Sequence, residues 1–158
     1  MVWRARDTTT TFLNFGAIPA GKIIRSRGYF LIAHKNFEGS MTPDFKYSAM
    51  AMAGDANTVA ITRTSLSPTN DDAQVVDMVG WGSVRVSEGD TDAPKQSTDS
   101  QSIERKALET STAATMAPGG IDAQMGNGQD TDNNGNDFIL RANRDPQNSQ
   151  SPVEPPAL

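Results

Sequence analysis

This 158-residue chain has no cysteine and only one histidine. The missing thiols exclude disulfides, cysteine nucleophiles and thiolate metal sites, and a single imidazole excludes metal sites with several histidine ligands. Aromatic residues are scarce, and the longest strongly apolar run, Tyr29–Ala33, is far shorter than the roughly 20 residues that a membrane helix needs. The N-terminus lacks an apolar h-region, which predicts no signal peptide in this chain. The net charge of −5 opposes nonspecific attraction to nucleic acid or anionic lipid.

The apolar residues that are present follow strand patterns. Val59 and Ile61 lie two residues apart within Asn57–Thr64, with threonines on the other face. Short β-branched or apolar runs recur elsewhere, separated by turns rich in Gly, Pro, Asn and Asp. No segment sustains the 3.6-residue period of an amphipathic helix. The pattern therefore predicts an all-β sandwich or barrel.

Polar stretches divide the chain. Residues 87–101 and 109–136 contain few large apolar residues and are predicted to be long loops. We expect one domain over residues 1–149, followed by a Pro-rich tail or linker over residues 150–158.

Catalytic motifs are missing. His34, the one imidazole, follows an apolar run and is interpreted as an ordinary surface or strand-end histidine. The sequence contains no nucleophile elbow, no HExxH motif and no phosphate-binding loop. We therefore predict that the chain is not an enzyme, with no catalytic residues and no cofactor.

One turn has oxygen ligands in a pattern that calcium uses. Asp130, Asp132 and Asn134 fall at positions 1, 3 and 5 of a calcium loop, with Gly135 at position 6, and Asp137 adds a further carboxylate. The twelfth position, which should be a bidentate Glu, is Arg141. An Asx-rich turn that hydrogen-bonds its own backbone is the alternative, and it treats Asn134 and Asp137 as turn-fixing residues first.

Seven short motifs occur in order along the chain. They lie at Trp3–Asp7, Ile18–Gly21, Gly28–Ile32, Asp77–Gly82, Ser102–Arg105, Asp130–Phe138 and Pro146–Ser149. Together they resemble the lamin tail domain, whose pattern includes a W-x-x-R-D opening, an I-x-x-G turn, an apolar G-Y-x-L-I strand, a D-x-V-G-[WY]-G motif, an S-[IL]-E-R motif and a D-T-D-x-N-x-x-D-F motif, and closes on P-x-N-S.

The resemblance implies an immunoglobulin-like antiparallel β-sandwich. Nothing before Trp3 supplies the family's opening strand pair, so we expect a sandwich that lacks its first two strands. Either a longer polypeptide or a partner, including a second copy, would then complete it. In such a sandwich Arg105 is expected to pair with Asp77 or Asp137.

The resemblance also implies a function. It suggests a non-catalytic structural, adhesion or interaction module of a larger cell-surface or secreted protein, with a protein partner, no nucleic acid and no membrane insertion. A loop-based module that binds calcium or another ligand, and a nuclear lamin-like scaffold or nucleic-acid partner, are the alternatives. The acidic charge argues against the last of these.

Overall fold

The computed structural model describes residues 1–49, 52–65, 67–68 and 73–155. Within these ranges the chain forms β1 (Val2–Arg6), β2 (Phe12–Gly16), β3 (Ile32–His34), β4 (Phe45–Tyr47), β5 (Asn57–Thr62), β6 (Val75–Trp81), β7 (Ser102–Arg105), a helical turn α1 (Asn134–Asp137) and β8 (Phe138–Arg141). The predicted all-β class is confirmed. In the described part of the chain no helix is long and apolar enough to cross a membrane.

The strands form one main sheet and two small ones. The main sheet has the order β2-β1-β5-β6, with every neighbouring pair antiparallel. Strands β7 and β8 pair antiparallel, whereas β3 and β4 pair parallel. Both buried apolar clusters include residues of the main sheet. The β7–β8 pair carries Glu104, Arg105 and Arg141, which are considered below.

Both faces of the main sheet pack against buried apolar residues. One face carries an apolar cluster formed by Trp3, Ala5, Phe12, Ala60, Met78 and Val86. The other face carries Val2, Phe15 and Tyr47, and the rings of Phe15 and Tyr47 stack with centroids 4.7 Å apart. Strand β4 therefore supplies part of the cover for this second face.

Strand β5 alternates as predicted, but its threonine face is the more deeply buried one. Thr58 and Thr62 are almost fully buried, while Val59 and Ile61 are only partly so. The hydroxyls tolerate this burial because both are hydrogen-bonded: Thr58 donates to the carbonyl of Val86, and the Trp3 indole donates to Thr62 Oγ1 at 2.8 Å.

The chain after β8 stays in contact with the rest of the structure as far as residue 155. The Asn148 amide donates to the Thr42 carbonyl (3.0 Å), and the Glu154 N–H donates to the Arg27 carbonyl (3.1 Å). Residues 156–158 of the predicted tail lie outside the described residues. The boundary proposed after residue 149 stays a prediction.

Candidate functional site

The Asp/Asn-rich turn folds as a capped helical turn. Asn133 precedes α1 in an extended conformation, and its side-chain oxygen accepts the N–H groups of Gly135 and Asn136. Asp132 adopts the left-handed region with φ of 53°, a conformation that Asp and Asn tolerate better than bulkier residues. The Thr91 hydroxyl donates to Asn133 Oδ1 at 2.5 Å, which ties the turn to the segment after β6.

Asp137 closes this turn from inside. Its side chain is fully buried, and its carboxylate accepts the Thr131 N–H (2.9 Å), the Thr131 hydroxyl (2.8 Å) and the Asn133 N–H (3.3 Å). Burial alone would raise the pKa of Asp137, but these hydrogen bonds outweigh it and hold the pKa below its ordinary value. The structure therefore stabilises the ionised form of this buried carboxylate.

Asn134 joins the turn to the main sheet. It is fully buried, and its side-chain oxygen accepts the N–H groups of Gly80 (2.7 Å) and Glu88 (3.2 Å). Its amide nitrogen donates to the carbonyl of Met78 at 3.0 Å. One side chain thus satisfies three backbone groups of β6 and the segment that follows it.

Arg105, the last residue of β7, forms ion pairs with three surrounding carboxylates. Its guanidinium lies 2.7 Å from Asp77, 3.2 Å from Asp130 and 3.9 Å from Asp137. It also lies over the ring of Phe138, 4.7 Å from the centroid. The prediction that Arg105 pairs with Asp77 or Asp137 is confirmed, and we call Arg105, Asp77, Asp130, Asn134 and Asp137 the polar lock.

The four residues predicted as calcium ligands have different partners. Asp130 and Asp137 face Arg105, whereas Asn134 turns to the main sheet and Asp132 lies exposed. Among the described residues, no three or more His, Cys, Asp or Glu side chains are grouped as a metal ion would need. Calcium binding at this turn stays a prediction.

Glu88 has a raised pKa that the sequence did not predict. Burial raises its pKa to about 7, and the charges of Asp77, Asp130 and Asp132 add to this rise while Arg105 opposes it. The run of acidic residues around Glu88 is visible in the sequence. Its proximity to carboxylates from β6 and from the Asp/Asn turn depends on the fold.

A large cleft opens on the other side of the β7–β8 pair. Its volume is about 1490 Å³, and segments from residues 36–40, 116–127 and 143–155 surround Ser102–Glu104 and Arg141. Polar and apolar side chains line it together. Its segments are far apart in the sequence, which explains why no local motif predicted it.

An ion pair lies in this cleft. Arg141 approaches Glu104 at 2.5 Å, and the Asn127 amide donates to the other Glu104 oxygen at 3.3 Å. Burial raises the pKa of Glu104. The charge of Arg141 lowers this pKa, whereas the charges of Glu154 and Asp145 raise it further. The cleft therefore combines a partly buried ion pair with additional negative charge.

His34 is the last residue of β3, as predicted. Its ring meets the Tyr47 ring edge-on, with centroids 5.5 Å apart, and its Nδ1 accepts the Asn36 N–H at 3.2 Å. Both contacts are structural ones that fix the end of the strand.

Comparison with protein-family models, with curated proteins and with solved structures found no match to this chain.

Proposed function

We propose that this chain is a non-catalytic interaction module of a larger cell-surface or secreted protein, built on an immunoglobulin-like sandwich similar to the lamin tail domain. The observation that carries this proposal is the polar lock. Its members bond to backbone groups and to one another, so the residues among them that the sequence singled out as possible ligands stabilise the fold. A reaction centre would instead direct such groups at a substrate.

The lock also supports the resemblance. Asp77, Arg105 and Asp137 come from three of the motifs that resemble the family, and they lie far apart in the sequence. Arg105 contacts both carboxylates. Through these contacts the three motifs hold the Asp/Asn turn and β7 against β6.

The cleft is the surface that such a module would present to a partner. Its volume of about 1490 Å³ exceeds the roughly 300–1,000 Å³ of typical small-molecule sites, which favours a peptide segment. Ile121 and Val153 line it, and they are 81% and 43% exposed. Solvent-exposed apolar side chains beside polar ones are suited to contacts with a protein partner.

Peptide selection on the purified chain tests this function. We expect peptides selected from a random display library to lose binding when Ile121 and Val153 are both replaced by Arg. The matched control is Val76→Arg, which changes an apolar residue whose exposure (55%) lies between those of Ile121 and Val153 and which does not line the cleft. No enriched peptide, or equal loss with the control, would reject the cleft as the interaction surface.

Calcium titration separates this proposal from its main alternative. Because Asp130, Asn134 and Asp137 already bond to protein groups, we expect a flat calorimetric trace and an unchanged Tm. A calcium-dependent rise in Tm that is lost in Asp132→Ala would favour a cation-binding module instead.

A further inference from the structure

Positive charge is concentrated in one part of an acidic chain. Residues 8–37 contain Lys22, Arg25, Arg27 and Lys35 and no Asp or Glu. The remainder has 10 Lys and Arg against 19 Asp and Glu, a net charge of −9. Although the net charge of the whole chain opposes anionic partners, this region therefore has the opposite local balance.

Two adjacent isoleucines project from the centre of this region. Ile23 and Ile24 are 79% and 51% exposed. They are the one adjacent pair among the large apolar residues that lie exposed in the described part of the chain. Lys22 and Arg25 flank them directly, and we call residues 22–27 the basic loop.

The basic loop is held in place at both ends. A turn closes before it, where the Lys22 N–H donates to the Pro19 carbonyl (3.3 Å), and another closes after it, where the Gly28 N–H donates to the Arg25 carbonyl (2.8 Å). The guanidinium of Arg25 donates to the Ser149 carbonyl at 2.8 Å, and that of Arg27 to the Glu154 carbonyl at 2.9 Å. A loop fixed in this way loses little conformational freedom on binding.

These anchors leave the positive charge available. The acceptors for Arg25 and Arg27 are neutral carbonyls, and no ion pair among the described residues includes Lys22, Arg25 or Arg27. Lys22 lies near enough to Asp44 to lower the pKa of that carboxyl group. Asp44 itself accepts hydrogen bonds from the Leu31 N–H (2.8 Å) and from Ser149.

We infer that the basic loop docks the protein on an anionic lipid bilayer. The isoleucines would enter the boundary between headgroups and acyl chains while the three cations contact lipid phosphates and carboxylates. A nucleic acid or another soluble polyanion would use the cations but leave the adjacent isoleucines in water, so the bilayer accounts for more of the surface. This binding lies outside the peptide cleft and goes beyond the proposed function.

Cosedimentation with large vesicles tests this inference. The purified chain is mixed with vesicles of phosphatidylcholine alone or of phosphatidylcholine with phosphatidylserine. We expect binding only to the anionic vesicles, with a loss on raising the salt concentration. Replacing both isoleucines by Ser should weaken binding by about tenfold or more, and Lys22→Glu should weaken it about 30-fold at low salt.

The matched control is Val76→Ser, because Val76 is about as exposed as Ile24 (55% against 51%) but lies outside both the basic loop and the cleft. This variant should bind vesicles as the parent does. Equal binding to neutral and anionic vesicles, or no binding to either, would overturn the inference. So would anionic binding that is unaffected by loss of the isoleucines and is competed by heparin, since that result identifies a patch for soluble polyanions. The altered residues are exposed, and circular dichroism checks that each variant is folded.

Discussion

At the scale of single residues, the main result is the use of Asn134 and Asp137. Both are fully buried, and most of their hydrogen-bond partners are backbone groups. Their positions in an Asp/Asn/Gly run predict a turn, because those side chains bond nearby backbone. No local pattern predicts the bond from Asn134 to Gly80, which is 54 residues away. Sequence therefore predicted the turn but left ligand and structural interpretations open.

Replacing Asn134 by Ala should destabilise the fold strongly. The change removes the hydrogen-bond partner of the Gly80 N–H, the Glu88 N–H and the Met78 carbonyl. Since each buried group left unpaired costs about 1–3 kcal/mol, we expect the free energy of unfolding to fall by about 3 kcal/mol or more. Urea denaturation measures it. Asn136→Ala is the control, because Asn136 is exposed in the same turn. Similar losses in both variants would contradict the assigned role of Asn134.

At the scale of secondary-structure elements, strands were predictable where a pattern is local. The alternation in Asn57–Thr64 predicted β5 (Asn57–Thr62), but it did not show which face would be buried more deeply. That outcome depends on the Trp3 indole and the Val86 carbonyl, which satisfy the threonine hydroxyls from other segments. Parallel pairing of β3 with β4 was likewise invisible, because it joins two three-residue strands across a long connection.

The turn after β6 depends on a glycine for two separable reasons. Gly82 has φ of +80°, and a Cβ there would overlap the carbonyl oxygen of Asp55. Gly21 has nearly the same φ, +81°, but has open space around it. Gly21→Ala should therefore cost about 1–2 kcal/mol for backbone strain alone. Gly82→Ala should cost clearly more, because strain and overlap add.

Thermal and urea unfolding of the two glycine variants provide the comparison. The difference between them estimates the steric contribution at Gly82, since φ is nearly the same at the two positions. Equal losses of unfolding free energy would show that the contact with Asp55 has no energetic consequence.

At the scale of the whole molecule, charge and shape come from segments that meet only in the folded chain. The cleft combines the β7–β8 pair with loops near residues 36–40, 116–127 and 143–155. The composition predicted long polar loops, and residues 109–133 contain no strand or helix. Composition could not predict that such a loop forms one wall of a cleft. The basic loop, in contrast, is a local cluster of Lys and Arg in the sequence, and the structure adds that its isoleucines are exposed.

The same long-range assembly makes stability depend on pH through Glu88. Its pKa rises from 4.5 to about 7 on folding, because burial and the nearby carboxylates penalise its charge. The folded state therefore holds the Glu88 proton more tightly than the unfolded state does. This contribution to stability is complete below pH 4.5 and disappears as the pH rises through about 7.

Asp44 and Asp137 act in the opposite direction at lower pH. Burial would raise the pKa of each carboxyl, but hydrogen bonds lower it below the ordinary 3.8. Their contribution is present above that value and is lost as the pH falls through the lowered pKa. Stability should therefore be greatest near pH 5, between the two effects.

Glu88→Gln tests the upper half of this profile. Glutamine keeps an oxygen that can accept from the Asn134 amide but cannot ionise. The free energy of unfolding of the parent should fall by about 1–2 kcal/mol between pH 5 and pH 8, allowing for solvent screening of a partly exposed group. The variant should show a smaller decline, because Glu104, whose pKa burial also raises, still titrates. It should be the more stable protein at pH 8. Urea denaturation across this range measures both, with the exposed Glu109→Gln as control. A decline of equal size in Glu88→Gln would assign the pH dependence to other groups.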